Sequence, residues 1–246
     1  MKEYLLRIEI LFMRLFVFRI VRYSIGYLRY YIFRYIFKNI KKFSGDQGHL
    51  GLDTLEYNFK NIKRSITTHS RVYHMLYPLL ALSYIDMNKQ KLKVLTIGPR
   101  SEGEIFLIAA HGFRFSNITG IDLFSYSPKI EVGDMHSMHF KDNSFDIIFS
   151  GWVLAYSDDQ EKALKEMVRV LKPGGYVTFG QGFDTQKGKN HNLGGKIRKN
   201  YIKDIFKPIK QNIDTFYFTH DITDEMANNG ERLIAAVFRI KKPSNI

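Results

Sequence analysis

The chain has 246 residues, no cysteine and a formal net charge of +13. That length suits one domain plus an extension, and a hydrophobic content of 45% is enough for a full core, against global disorder. Without cysteine, disulfides, thiolate metal sites and cysteine nucleophiles are excluded.

The charge is unevenly placed. Residues 1–43 hold ten Lys/Arg and two Glu, and twelve of the chain's aromatic side chains, whereas the remainder is only mildly basic. This arm (LLRIEILFMRLFVFRIVRYSIGYLRYYIFRYIF) never runs more than six residues without a charge, from Tyr23 to Leu28. A bilayer-spanning helix needs roughly 20 mostly apolar residues, so no span is expected, and the charges also interrupt any signal-peptide core. On a helix at about 100° per residue, Arg7, Arg14, Arg22 and Arg29 fall within one arc of about 80°. A basic amphipathic helix of this kind suits an anionic membrane interface, with arginine stems snorkelling and rings at headgroup level. Packing on the domain or on a second subunit is the other reading. Nucleic acid fits less well, because most of the aromatics sit at core-like positions. Ser24 and Gly26 are the expected break within the arm.

Ser44 to Gly51 reads as a turn-rich linker, and a helical segment is expected from about Leu55 to Ile85, kinked or divided at Pro78. The expected division is therefore an arm over 1–43, a linker and helical cap over 44–92, and a main domain over 93–246.

Lys93 to Ile97 is a short buried strand by its β-branched content. Gly98-Pro99-Arg100-Ser101-Glu102-Gly103 follows, then an apolar helical run from Ile105 to His111. A glycine turn between strand and helix lets a ligand approach the backbone and aims the helix amides at it. Asn117 to Ile121 is the second strand, closed by Asp122, whose carboxylate at that strand end suits ribose hydroxyls. A third strand near Ile130 to Val132 leads into Gly133-Asp134-Met135-His136. Phe145 to Phe149 is the fourth strand, Ser150 to Tyr156 a loop or helix start, and Asp159 to Leu171 an amphipathic helix stopped by Lys172-Pro173-Gly174-Gly175. Tyr176 to Gly180 is the fifth strand. Thr215 to His220 and Arg232 to Ile240 read as the last two, the second as an antiparallel edge strand.

In this order and spacing, the Gly98 turn, Gly120-Ile121-Asp122, Gly133-Asp134-Met135, Ser144-Phe145-Asp146 and Val170-Leu171-Lys172-Pro173-Gly174-Gly175 resemble the class I S-adenosylmethionine-dependent methyltransferases, in particular their type 11 domain. The resemblance covers about Lys93 to Gly180. It implies a Rossmann-like α/β fold: a seven-stranded sheet, mostly parallel with an antiparallel last strand, flanked by helices. It also implies S-adenosyl-L-methionine as cofactor. Gly98, Pro99, Arg100 and Gly103 would hold its methionine part, Asp122 its ribose, Leu123 one adenine face, Asp134 the adenine amino group and Met135 the ring edge. Ser150 and Gly151 would lie at the mouth, with Trp152 and Tyr156 on the substrate side.

The chain departs from the pattern at Thr96, where the family usually carries an acid. Glu102 or Glu104 is the expected substitute, and Arg100 suits the carboxylate of the cofactor. If the acceptor is a hydroxyl, a general base is needed. His136, His139 and His191 are candidates by residue type, and no histidine or acid grouping has metal-ligand spacing. The basic run with Lys187, Lys189, Lys196, Arg198 and Lys199 suits an anionic sugar or lipid acceptor. The expected location is cytoplasmic, peripheral at the inner face of the membrane. Two alternatives stand beside methyl transfer to a small-molecule, sugar or lipid-linked acceptor. One is a non-catalytic scaffold of the same fold. The other is an NAD-dependent reductase, since Gly98 and Gly103 keep the outer spacing of a dinucleotide turn.

Overall fold

The computed structural model describes residues 2–45, 62–67, 70–157, 159–183 and 201–241. His69, His191, Lys187, Lys189, Lys196, Arg198, Lys199 and most of the expected linker lie outside them.

The frame is a seven-stranded sheet built from β2 (Val94–Ile97), β3 (Ile118–Asp122), β5 (Ile130–Val132), β6 (Phe145–Gly151), β7 (Leu171–Gly182), β8 (Ile213–His220) and β9 (Leu233–Ile240). Its order is β5-β3-β2-β6-β7-β9-β8. The first five strands in that order are parallel, and β9 runs antiparallel to both β7 and β8. This is the Rossmann-like arrangement expected, with one correction. β9 is not the edge strand. Its Leu-Ile-Ala-Ala-Val-Phe run is buried almost throughout, so it needs cover on both sides, whereas β8 is mostly exposed and takes the edge.

Alternating side chains feed two cores. On one face Leu95, Ile97, Ile148, Val177, Phe179 and Phe238 meet Leu164, Met167 and Val170 of α7 (Gln160–Val170) and Phe206. Asp159 caps α7, its side chain accepting from Lys162 N. On the other face Val94, Ile118, Ile147 and Phe149 meet α4 (Ser70–Leu80) and α6 (Glu102–Ala110).

Every residue of α6 is buried, which an amphipathic surface helix would not be. The arm explains this. It consists of α1 (Lys2–Arg14), a 3-10 turn over Leu15–Val17 and α2 (Arg19–Tyr31), and all three pack on α6 from outside the sheet. Met13 and Phe16 enter the same core, and the Phe16 ring lies 4.6 Å from that of Phe106.

The break in the arm therefore falls at Leu15 to Phe18, where Phe18 is extended, and not at Ser24 or Gly26. Gly26 stays inside α2 because a Cβ there would come within 2.9 Å of Ile66 in α3 (Ile62–Thr67). Arg22 closes the break: it is 1% exposed and donates to the Phe16 carbonyl at 2.5 Å. Similarly, Pro78 lies inside α4, and the division expected there falls at Ala81 and Leu82, before α5 (Ser83–Asn88). After a π turn over Ile32–Ile36, the arm ends in β1 (Lys41–Lys42), paired antiparallel with β4 (Phe124–Ser125). Phe43 N donates to Leu123 O at 2.7 Å, which stitches the arm beside the end of β3. Among the described residues no helix is long and apolar enough to cross a membrane.

Candidate functional site

The registers Ile97↔Ile121 and Ile97↔Ser150 bring the carboxyl ends of β2, β3 and β6 level. In an open parallel sheet this edge is where ligands bind. A recess opens there, and Gly98, Arg100, Asp122, Leu123, Asp134, Met135, Gly151, Trp152 and Tyr156 all line it.

Gly98 leaves β2 at φ +69°, and a Cβ on it would stand 2.2 Å from Val153. Glycine is thus required twice, by the left-handed backbone and by close approach. Arg100 also has a positive φ, at +54°. That turn points its backbone N–H at Asp122, whose Oδ2 accepts it at 3.0 Å, while Oδ1 accepts from Leu123 N at 2.7 Å. Asp122 is buried, and burial pushes its carboxyl up to about 6, against the pull of these backbone donors and of Arg100.

Asp134 sits across the recess on the loop after β5. Its Oδ1 accepts from His136 N at 3.0 Å and lies 2.6 Å from His136 Nδ1, and the other ring nitrogen lies 2.6 Å from Ser157 Oγ. His136 is thereby fixed behind Asp134, 1% exposed and outside the lining of the recess. Its position orients a carboxylate; it does not face the recess.

The remaining residues singled out from the sequence lie around the rim or beneath it. Pro99 is buried and limits Gly120, whose Cβ would meet it at 2.9 Å. Gly103 is buried in the first turn of α6. Ser150 is buried, and its Oγ has no hydrogen-bond partner among the described residues. His139 lies on the surface, 2.6 Å from Glu131.

Neither glutamate expected to replace the acid at Thr96 is open to the recess. Glu102 takes a bidentate pair from Arg29 at 2.6 and 2.7 Å and a bond from Ser127 Oγ. Glu104 is bound by Arg71 at 2.6 Å, and burial pushes its carboxyl up while Arg71 pulls it back. The side chain that does reach the recess is Arg71 itself, stacked over Trp152 at 5.9 Å. Sequence reading missed it, since Arg71 precedes the first sheet strand by more than twenty residues and belongs to no motif.

A glycine turn, an acid at the end of β3, another on the loop after β5 and a sheet inverted only at β9 define a Rossmann-like α/β fold with a recess at its carboxyl edge. Comparison with known proteins adds similarities over part of the chain. Residues 95–179 match the family model described as a methyltransferase domain. The chain is 31% identical over 149 residues to malonyl-[acyl-carrier protein] O-methyltransferase 1 of Coxiella burnetii, covering 58% of this chain and 47% of that protein. It is 30% identical over 134 residues to demethylmenaquinone methyltransferase of Desulfitobacterium hafniense, covering 47% and 53% respectively. The chain thus spans about half the length of these curated relatives. Among solved structures, 1,6-didemethyltoxoflavin-N1-methyltransferase of Burkholderia thailandensis, with bound 1,6-didemethyltoxoflavin and S-adenosylhomocysteine, superposes with a TM-score of 0.55 at 12% identity. That match covers 76% of this chain and 85% of that one and concerns the fold alone. Over residues 95–179 the chain is thus similar to methyltransferases, and the relatives it matches are methyltransferases by name.

Proposed function

We propose that the protein transfers the methyl group of S-adenosylmethionine to a small, lipid-linked acceptor. The observation that carries this reading is the convergence of Asp122 and Asp134 on one recess above the Gly98 turn. The residues present fit the cofactor. Asp122 offers a buried acceptor for the ribose hydroxyls, and Asp134, oriented by His136, an acceptor for the adenine amino group. Leu123 and Met135 supply apolar flanks for the ring, and Arg71 and Arg100 supply cations for a carboxylate.

The cofactor, when bound, supplies a methyl group on a positively charged sulfur, already activated for displacement at carbon. What remains for the chain is alignment and exclusion of water, the terms that proximity catalysis depends on. Trp152 is held for this by its backbone: φ is +59°, and its N–H donates to Gly180 O at 2.7 Å. Its ring stands over the space a Gly180 Cβ would fill, and Met75 occupies the equivalent space at Gly151. The two glycines therefore let a ring and a thioether close the floor of the acceptor side. No described histidine faces the recess, so alignment carries the reaction without a histidine base from the described part of the chain.

A lipid-linked acceptor is favoured because the arm, whose helices expose large apolar side chains, ends beside the recess. Lys41 and Lys42 pair with Ser125 and Phe124, directly after the Asp122-Leu123 wall. The similarity to a demethylmenaquinone methyltransferase points the same way. The test is incubation of the protein with methyl-labelled S-adenosylmethionine and a membrane lipid extract. Label entering the organic phase, and lost with Asp134→Ala, supports the reading. Label retained wholly in the donor, with every lipid and soluble extract tried, contradicts it.

A further inference from the structure

The arm has its polarity turned round relative to an ordinary surface helix pair. Arg22 and Arg29 point into the protein, one to the Phe16 and Val17 carbonyls and the other to Glu102. Many large apolar side chains look outward, while Met13, Phe16 and Tyr30 face the core. Leu11 is 68% exposed, Phe18 63% and Ile20 76%, and Phe12, Leu15 and Leu28 are also exposed. The exposed positions Tyr4, Ile8 and Leu11 of α1, followed by Leu15 of the 3-10 turn, recur at helical spacing, one stripe along one face. On α2 the stripe is Ile20, Leu28 and Tyr31, continued by Tyr35, whose ring stacks on that of Tyr31 at 5.6 Å. Both helices pack on α6 with their opposite faces, so both stripes look away from the domain. Monomeric soluble proteins rarely leave so much contiguous apolar surface bare.

We infer that these stripes dock on an anionic lipid bilayer. The charge pattern selects this occupant. From Ile10 to Gly45 the sequence has no acidic residue, and Glu9 is turned toward Arg114 at 3.7 Å. Arg14, Arg19, Lys38 and Lys41 are exposed around the stripes. Apolar residues facing outward with a rim rich in cations is the pattern of an interfacial helix on acidic headgroups. A second copy of the chain on the same face would bring Arg14 and Arg19 of both copies together without a counter-charge, which disfavours self-association. The same arm ends at the recess wall, where Phe43 N donates to Leu123 O. This inference is independent of methyl transfer: it stands on the arm alone.

The experiment is vesicle flotation of the full chain. The parent protein is expected to float with vesicles containing phosphatidylglycerol and much less with purely zwitterionic ones. Leu11→Glu with Phe18→Glu, both exposed and outside the recess, should lower bound protein at least tenfold with an unchanged thermal melt. Arg14→Glu with Arg19→Glu should lower it several-fold and flatten the dependence on salt. Equal flotation of the parent and the Leu11/Phe18 variant would overturn the proposal. So would a parent that stays unbound as a dimer which that variant converts to a monomer. The thermal melt reads folding without reference to the cofactor, so failure here is distinct from failure of the methyl-donor reading.

Discussion

At the scale of single residues, the account rests on Asp122 and Asp134. Both were visible in the sequence for a physical reason: strand-turn-helix order puts the ends of successive parallel strands at one sheet edge, and an acid at such an end has nowhere else to face. Arg71 was invisible for the converse reason, since its place depends on how a helix before the sheet packs, not on any local pattern. Asp122 carries a pH prediction. Its folded carboxyl is raised to about 6 from an ordinary value of 3.8, so between those values the folded state binds more protons than the unfolded one. The stability penalty of ionising it is absent at pH 4 and complete above pH 6. Asp122→Asn removes the penalty, so the variant should gain about 2–3 kcal/mol relative to the parent between pH 4 and pH 7. Urea melts across that range check this, and a difference independent of pH would show that Asp122 is not buried in the folded state. Gly98→Ala should be worse than a local change of one methyl suggests. The new Cβ must displace Val153 and hold a left-handed φ, so cofactor affinity should fall at least tenfold by equilibrium dialysis.

At the scale of elements, periodicity gave the arm its arginine arc, but the break near Phe18 splits it: Arg22 and Arg29 turn inward, while Arg7 and Arg14 stay exposed. Direction is a matter of partners: the Phe16 and Val17 carbonyls at the helix break need a donor, and buried Glu102 needs a cation. The break itself fell at Phe18 because Phe16 turns into the core, a tertiary contact that outweighs the weak helix propensity of Ser24 and Gly26. β9 was legible as a strand, but its interior place followed only from its burial on both faces. The Arg29–Glu102 pair ties α2 to the helix that the glycine turn introduces, and Tyr126 Oη accepts from Glu102 N at 3.2 Å. Arg29→Met leaves Glu102 buried without its cation and should cost about 3 kcal/mol, since breaking a buried pair costs more than replacing both partners. Adding Glu102→Gln should recover more than half of that loss in urea melts. Additive losses would mean that the two side chains do not interact.

At the scale of the whole molecule, the sheet, the cap helix α4 and the arm pack around α6, with the recess at one sheet edge and the end of the arm beside it. The five parallel strands were legible in chain order from the motif run between Lys93 and Gly180, and the place of β9 was not. The way the arm completes the cover of α6 was not, because nothing in that run marks α6 as a helix in need of a second layer. The central claim is that the recess holds one adenosine unit, its ribose on Asp122 and its base near Asp134. Calorimetric titration of the intact protein with S-adenosylhomocysteine tests it most directly. The account predicts one-site binding that weakens at least tenfold in both Asp122→Ala and Asp134→Ala, with no comparable heat from NADH. Absence of binding to the parent, or equal affinity in all three proteins, would contradict it.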